Sequence, residues 1–111
     1  MLKINMDIVN ELNLNIDDVC LIAGIEDIFD FKGADSSCII SYKEIIDDLP
    51  ILFNSTEKSN IVKLRNMLER EGIKSLITKT IKQQGRGKGA LVTFTMDRQK
   101  VKELNVKGIL N

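Results

Sequence analysis

The side chains in this 111-residue sequence with the clearest chemical potential are cations and amides placed at two kinds of spacing. In "IKQQGRGKGALVTF", Ile81 to Phe94, Arg86 and Lys88 alternate with Gly85, Gly87 and Gly89. Lys82 precedes them, and β-prone residues lie on both sides. Upstream, in "TEKSNIVKLRNMLEREG", the residues Thr56, Ser59, Val62, Lys63, Asn66 and Arg70 fall on one side of a helix at about 100° per residue. Lys and Arg suit phosphates or guanine, Asn bonds bidentately to adenine, a hydroxyl adapts to either partner, and Val can touch a thymine methyl. Glycines let a turn approach a partner closely while its cations reach phosphates or the minor groove. Both stretches therefore point to double-stranded DNA. A helix in the major groove reads bases with its first turns, so Ser59, Val62 and Lys63 are better placed than Arg70. With Lys58, Lys63, Lys79, Lys82, Arg86 and Lys88 as the electrostatic footprint, roughly four to six phosphate contacts per subunit are expected. The plain alternatives are a solvated helix face and a charged hairpin turn.

Other chemistries fit poorly. A phosphate-cradling loop would read G-x-x-x-x-G-K and then Ser or Thr, but Gly89 is followed by Ala90 and then a strand-like run. The carboxylate pairs Asp17/Asp18 and Asp47/Asp48 are helix neighbours, which diverge by about 100° and share no site. Neither Cys20 nor Cys38 has a histidine to activate it, and two cysteines without histidine cannot complete a zinc site. No catalytic residue, metal or cofactor is expected. With Tyr42 and four phenylalanines as the only aromatics, stacking on single strands is the weaker mode.

The formal net charge is zero, but the charges are segregated along the chain. Residues 1–50 hold three lysines against eleven acids, a balance of −8, and residues 51–111 hold thirteen cations against five acids, a balance of +8. A polyanion would be drawn to the second half and repelled by the first, so the chain reads as electrically two-faced. No run is long and apolar enough for a membrane span, and "MLKINMDIVN" lacks a signal peptide's apolar stretch. A cytoplasmic, non-membrane protein is expected, with both cysteines reduced and packed rather than bridged.

The hydrophobic pattern places the elements. "MDIVNELN" predicts a short helix, and "NIDDVCLIAGIEDIFDF" a longer one capped by Asn15, with Ile16, Val19, Ile22 and Ile25 at helical spacing. "SCII" predicts a short strand. Ser41 and Glu44 form an S-x-x-E capping box for a helix that Pro50 stops. The next helix, Thr56 to Glu71, has Asn54 and Glu57 as a second capping box, Ile61, Leu64 and Leu68 as its core stripe, and Gly72 as a left-handed C-cap. "IKSLITKTIKQ" and "ALVTFTM" predict a hairpin, and "DRQKVKELN" a last short helix.

Helix, strand, short helix, longer helix and basic hairpin succeed one another in the order of a winged helix-turn-helix. "ISYKEIIDDLPILF", then "LRNMLEREGIKSLI", then "GRGKGALVTFTM" resemble small winged-helix proteins of phages and plasmids of low-GC bacteria. In those proteins a "sYkkIieeLPil" helix precedes a recognition helix ending in "L-E-x-x-G-L-I". The resemblance covers roughly residues 38–96 and extends to TubR-type centromere-binding adaptors of tubulin-like partition systems. It implies an α+β, mainly α fold in one domain: N-terminal helices over 1–31, a winged core over 38–96 and an extension over 97–111. The implied function is sequence-specific duplex binding for a mobile element, as a transcriptional regulator or as a partition adaptor with a cytoskeletal GTPase as further partner. Two half-sites imply a homodimer, with a seam expected from apolar positions within Met1 to Phe31 and the Asp97 to Asn105 segment. The alternative is a protein-interaction module, such as a phage inhibitor of a host protein, working through its acidic face.

Overall fold

A computed structural model describes residues 3–85 and 90–110, which form an α+β fold of six helices and one three-stranded antiparallel sheet. The first helix, α1 (Met6–Glu11), is capped by Asn5, whose side chain accepts from the Asp7 and Ile8 amides. The Asn5 N–H donates to the Leu104 carbonyl at 2.9 Å, which ties the first helix to the last one. From the other side Asn105 donates through Nδ2 to the Lys3 carbonyl at 2.7 Å.

Helix α2 (Ile16–Phe31) begins at a reciprocal cap between Asn15 and Asp18 and is the centre of the molecule. Ten of its sixteen residues are buried, so it is enclosed on most sides rather than along one stripe. Gly24 permits the closest of these contacts: a Cβ there would stand 2.7 Å from Leu49 Cδ1 at the end of α3. Val19, Ile22, Ile25 and Ile28 of α2, with Ile8 and Val9 of α1 and Val101 and Leu104 of the last helix, lie inside this core. Most apolar side chains of the expected dimer seam over residues 1–31 and 97–105 pack within one chain, whereas Met6, Ile16 and Phe31 stay exposed. Ile16, expected on the same stripe as Val19, is 68% exposed, since it occupies the first helical turn beyond the edge of the core.

After the turn over residues 32–36, strand β1 (Ser37–Ile39) leads into α3 (Tyr42–Asp48). Here the expected capping box is present: Ser41 Oγ accepts from the Glu44 amide at 3.1 Å, and Glu44 Oε2 accepts from the Ser41 amide at 2.8 Å. The next helix is shorter than its sequence suggests. Helix α4 spans Glu57–Leu68 and is followed by a separate turn of helix, α5 (Glu71–Lys74). Thr56 caps α4 by accepting from the Ser59 amide at 3.2 Å, so the Asn54/Glu57 box is not used. A hydroxyl one residue before the first helical residue holds the capping position that Asn54 lies too far upstream to fill. Gly72 is not a left-handed C-cap but part of α5. Its role is close approach, for any Cβ there would collide with the Leu12 carbonyl oxygen.

Strands β2 (Ile77–Gln83) and β3 (Ala90–Met96) form the expected hairpin, and β1 pairs with the far edge of β3, giving the order β1-β3-β2. Register places Ile77 opposite Met96 and Lys79 opposite Phe94, so Phe94 and Met96 turn one face of the sheet inwards. The last helix, α6 (Arg98–Leu104), starts at Asp97 and closes the core through Val101 and Leu104. Among the described residues no helix is long and apolar enough to cross a membrane. Cys20 and Cys38 are both free thiols, each half-buried.

Candidate nucleic-acid interface

Helix α4 turns Leu64, Met67 and Leu68 into the core together with one polar residue, Asn60. Ile61, expected inside, is half-buried at the margin. The opposite side is open. Lys58, Ser59, Val62, Lys63, Asn66 and Arg70 line one shallow groove with Met67 at its edge, and Val62 is 48% exposed in its middle. Six of the eleven residues expected at the site are therefore brought together on one surface. Thr56, a seventh, lies at the start of the helix with its hydroxyl engaged as the cap.

What holds this helix in place is a set of polar contacts to the connector between α3 and α4. Asn60 is 6% exposed and uses its whole amide: Oδ1 accepts from the Ser55 N–H at 3.1 Å, while Nδ2 donates to the Ser55 carbonyl at 3.2 Å and the Phe53 carbonyl at 3.4 Å. Three residues on, Lys63 donates from Nζ to the Leu52 carbonyl at 2.6 Å, with its ammonium 5.8 Å from the centre of the Phe53 ring. The attitude of α4 is thus fixed by hydrogen bonds as well as by Leu64 and Leu68. Sequence reading passed over Asn60, although an amide on the stripe occupied by Leu64 and Met67 is a visible signal that a buried backbone needs partners.

Two more of the expected contact residues, besides Thr56 and Lys63, have structural engagements of their own. Arg70 lies beyond the end of α4, with extended backbone, and turns towards α2. Its Nε and Nη2 both reach Asp18 Oδ2 at 3.0 Å, and Asp18 is 1% exposed. The wheel that put Arg70 in line with Asn66 assumed an unbroken helix to Glu71; the break after Leu68 re-aims it. Lys79 sits at the foot of β2, where Nζ bonds the Tyr42 hydroxyl at 3.1 Å and lies 3.6 Å from Glu69 Oε1. Only 19% of its side chain is exposed, because it faces the same side of the sheet as Phe94. Lys82 is exposed further along β2, paired with Leu91 on the other face. Arg86 and Lys88 lie outside the described residues.

The expectation of two electrical faces is also revised. Arg70 to Asp18, Arg98 to Asp30 at 2.7 Å, Lys107 to Asp30 at 2.9 Å and Lys100 to Glu11 at 3.6 Å all join the basic half to the acidic half. These pairs engage three of the eleven acids of residues 1–50, so part of the segregation is neutralised in the fold. Hydrogen bonds from Arg98 and then Lys107 hold the Asp30 carboxyl below the usual carboxylate range. Likewise Lys32, at 2.8 Å, and the Ser41 amide hold down Glu44. Asp47 and Asp48 on α3, Glu57 in the first turn of α4 and Glu69 at its end are exposed, Asp47 being paired with Lys43 at 2.8 Å. Comparison with protein families, with curated proteins and with solved structures finds no match to this chain. What the groove does is therefore read from its chemistry.

Proposed function

We propose that this chain is a winged helix-turn-helix protein that binds double-stranded DNA, with α4 as the recognition helix and the β2–β3 hairpin as the wing. One observation carries the reading: the outward side of α4 stands clear of the rest of the chain and presents Lys58, Ser59, Val62 and Asn66 around a shallow groove. Cations for phosphates, amide and hydroxyl for base edges and one apolar side chain for a thymine methyl are the mixture that duplex reading requires. The sheet order β1-β3-β2 supports it, since β1 fastens the hairpin beside the helices. Lys58 and Lys82, with Arg86 and Lys88 between β2 and β3 in the sequence, supply the positive charge; Arg70 and Lys79 serve the fold. A small domain of this kind suits a transcriptional regulator or a centromere-binding partition adaptor of a phage or plasmid, acting as a homodimer on paired half-sites.

Fluorescence anisotropy with duplexes taken from the DNA flanking its own gene tests this. Binding is expected to weaken on Lys58→Ala, Asn66→Ala and the double change Arg86→Ala, Lys88→Ala. The slope of log affinity against log salt should fall by about 0.9 for each phosphate contact removed. Absence of any duplex binding at low salt, or binding indifferent to all three changes, would refute the reading. A second reading has its own support in Asp47 of α3 and Glu57 of α4, which share a groove with Ile46 and Ile61 and would suit a basic, partly apolar segment of a protein partner.

A further inference from the structure

Glu26 has no part in the proposed interface, yet it is the more unusual group. It lies within α2, is 6% exposed, and its Oε1 is buried without a hydrogen-bond partner. A buried acceptor left in that condition carries an uncompensated desolvation penalty that a donor would relieve. The carboxyl forms one wall of a cleft of about 450 Å³ between α2 and the segment from α6 onwards, opposite Arg98, Lys102, Asn105 and Lys107 and beside Val101 and Val106. That volume falls among those of small-molecule sites.

The cations around the cleft do not satisfy Glu26. Arg98 and Lys107 are both drawn to Asp30, and Arg98 also lies 5.6 Å from the centre of the Phe29 ring. Lys102 is exposed and makes no ion pair among the described residues. Burial, then the neighbouring charge of Asp30, pushes the Glu26 carboxyl above its usual range despite the opposing pull of Lys107 and Arg98. The cleft thus offers one lone acceptor inside and several cations around it. A divalent cation would be repelled by the three basic side chains, and a simple anion would meet the carboxylate. A small molecule with a positive donor at one end and a carboxylate at the other satisfies both.

We propose that this cleft binds a free α-amino acid, with its ammonium group against Glu26 and its carboxylate towards Lys102 and Lys107. The site is separate from the α4 groove, and its test does not depend on DNA binding.

The experiment is a titration of the isotopically labelled full chain with each standard α-amino acid to roughly 10 mM, ample for a dissociation constant of about 1 mM, read by amide NMR shifts. At least one is expected to move the Gln99, Lys102 and Asn105 signals saturably. Acetate, which carries only the carboxylate, should produce no saturable shift there. Glu26→Gln, which keeps the side-chain shape, should weaken binding about tenfold or more, or about 1.4 kcal/mol, and Lys102→Glu at an exposed position should weaken it independently. The proposal is overturned if no amino acid moves those signals, if acetate reproduces the effect, or if both variants bind as the parent does.

Discussion

Replacing Arg70 by alanine separates a structural cation from a DNA-contacting one. The change removes the Nε and Nη2 contacts to Asp18 Oδ2, both at 3.0 Å, and leaves that oxygen with the Asn15 N–H, also at 3.0 Å. The other oxygen, Oδ1, already has no partner. Deleting one member of a fully buried ion pair costs about 3–5 kcal/mol. Arg70 has 43% of its side chain exposed, so water and salt screen part of the interaction, and about 2–3 kcal/mol is the better expectation. For a domain near this size that loss lowers Tm by roughly 8–20 °C. Urea denaturation of the parent, Arg70→Ala, Asp18→Asn and the double variant measures it. Since asparagine removes the stranded charge, the double variant should be less destabilised than the two single effects summed, with a coupling of about 1–2 kcal/mol. An Arg70→Ala protein within about 0.5 kcal/mol of the parent, or strictly additive effects, would show that the guanidinium is not holding α2 to the end of α4. Under conditions where the variant is folded, it should also bind duplex DNA more nearly like the parent than Asn66→Ala does.

Asn60→Ala should destabilise by about 1.5–3 kcal/mol in urea, because it orphans the buried Phe53 carbonyl and exposes two Ser55 groups to water in place of an amide; Asn60→Asp should be worse at neutral pH, and a Cm equal to the parent's for either would contradict the assignment. Gly72→Ala should cost about 1–3 kcal/mol by driving α5 away from the Leu12 carbonyl, and an unchanged melting temperature would count against that contact. Glu26 has a raised carboxyl pKa, so its proton is held more tightly in the folded state and stability falls as pH rises from about 4.3 through the raised value. Glu26→Gln should therefore be more stable than the parent at pH 7, with the difference closing as pH falls towards 4. Asp30 and Glu44 act with the opposite sign: their lowered values contribute stability above the usual carboxylate range that is lost on further acidification. Melts across this pH range distinguish the two.

Local signals were the legible ones. Asn15 and the Ser41/Glu44 box mark helix starts through bonds spanning three residues, and Pro50 marks a stop because it has no N–H to donate; both can be read from sequence alone. The hairpin and α6 followed from alternation and a short periodic run. What escaped depends on chain segments far apart. Gly72 has the composition of a cap, but its constraint comes from Leu12, and Arg70 is re-aimed by an acid 52 residues away. Lys79 looked like a phosphate contact because strand alternation does not reveal that Tyr42 and Glu69 meet it. Asp18 and Glu26 look solvent-facing by type, and only the enclosure of α2 on most sides buries them. Of the candidate site, the face of α4 was readable because helical periodicity alone defines it.

The pairing of an early acidic half with a late basic half also bears on how the molecule comes together. While the chain is being made, Asp18 and Asp30 emerge before Arg70, Arg98 and Lys107 and wait without those partners until the later residues follow. Cleavage at Ile51, which is 70% exposed between α3 and α4, would leave fragments of opposite formal charge close to −8 and +8. Their reunion would be hastened by long-range attraction in dilute buffer and slowed by added electrolyte.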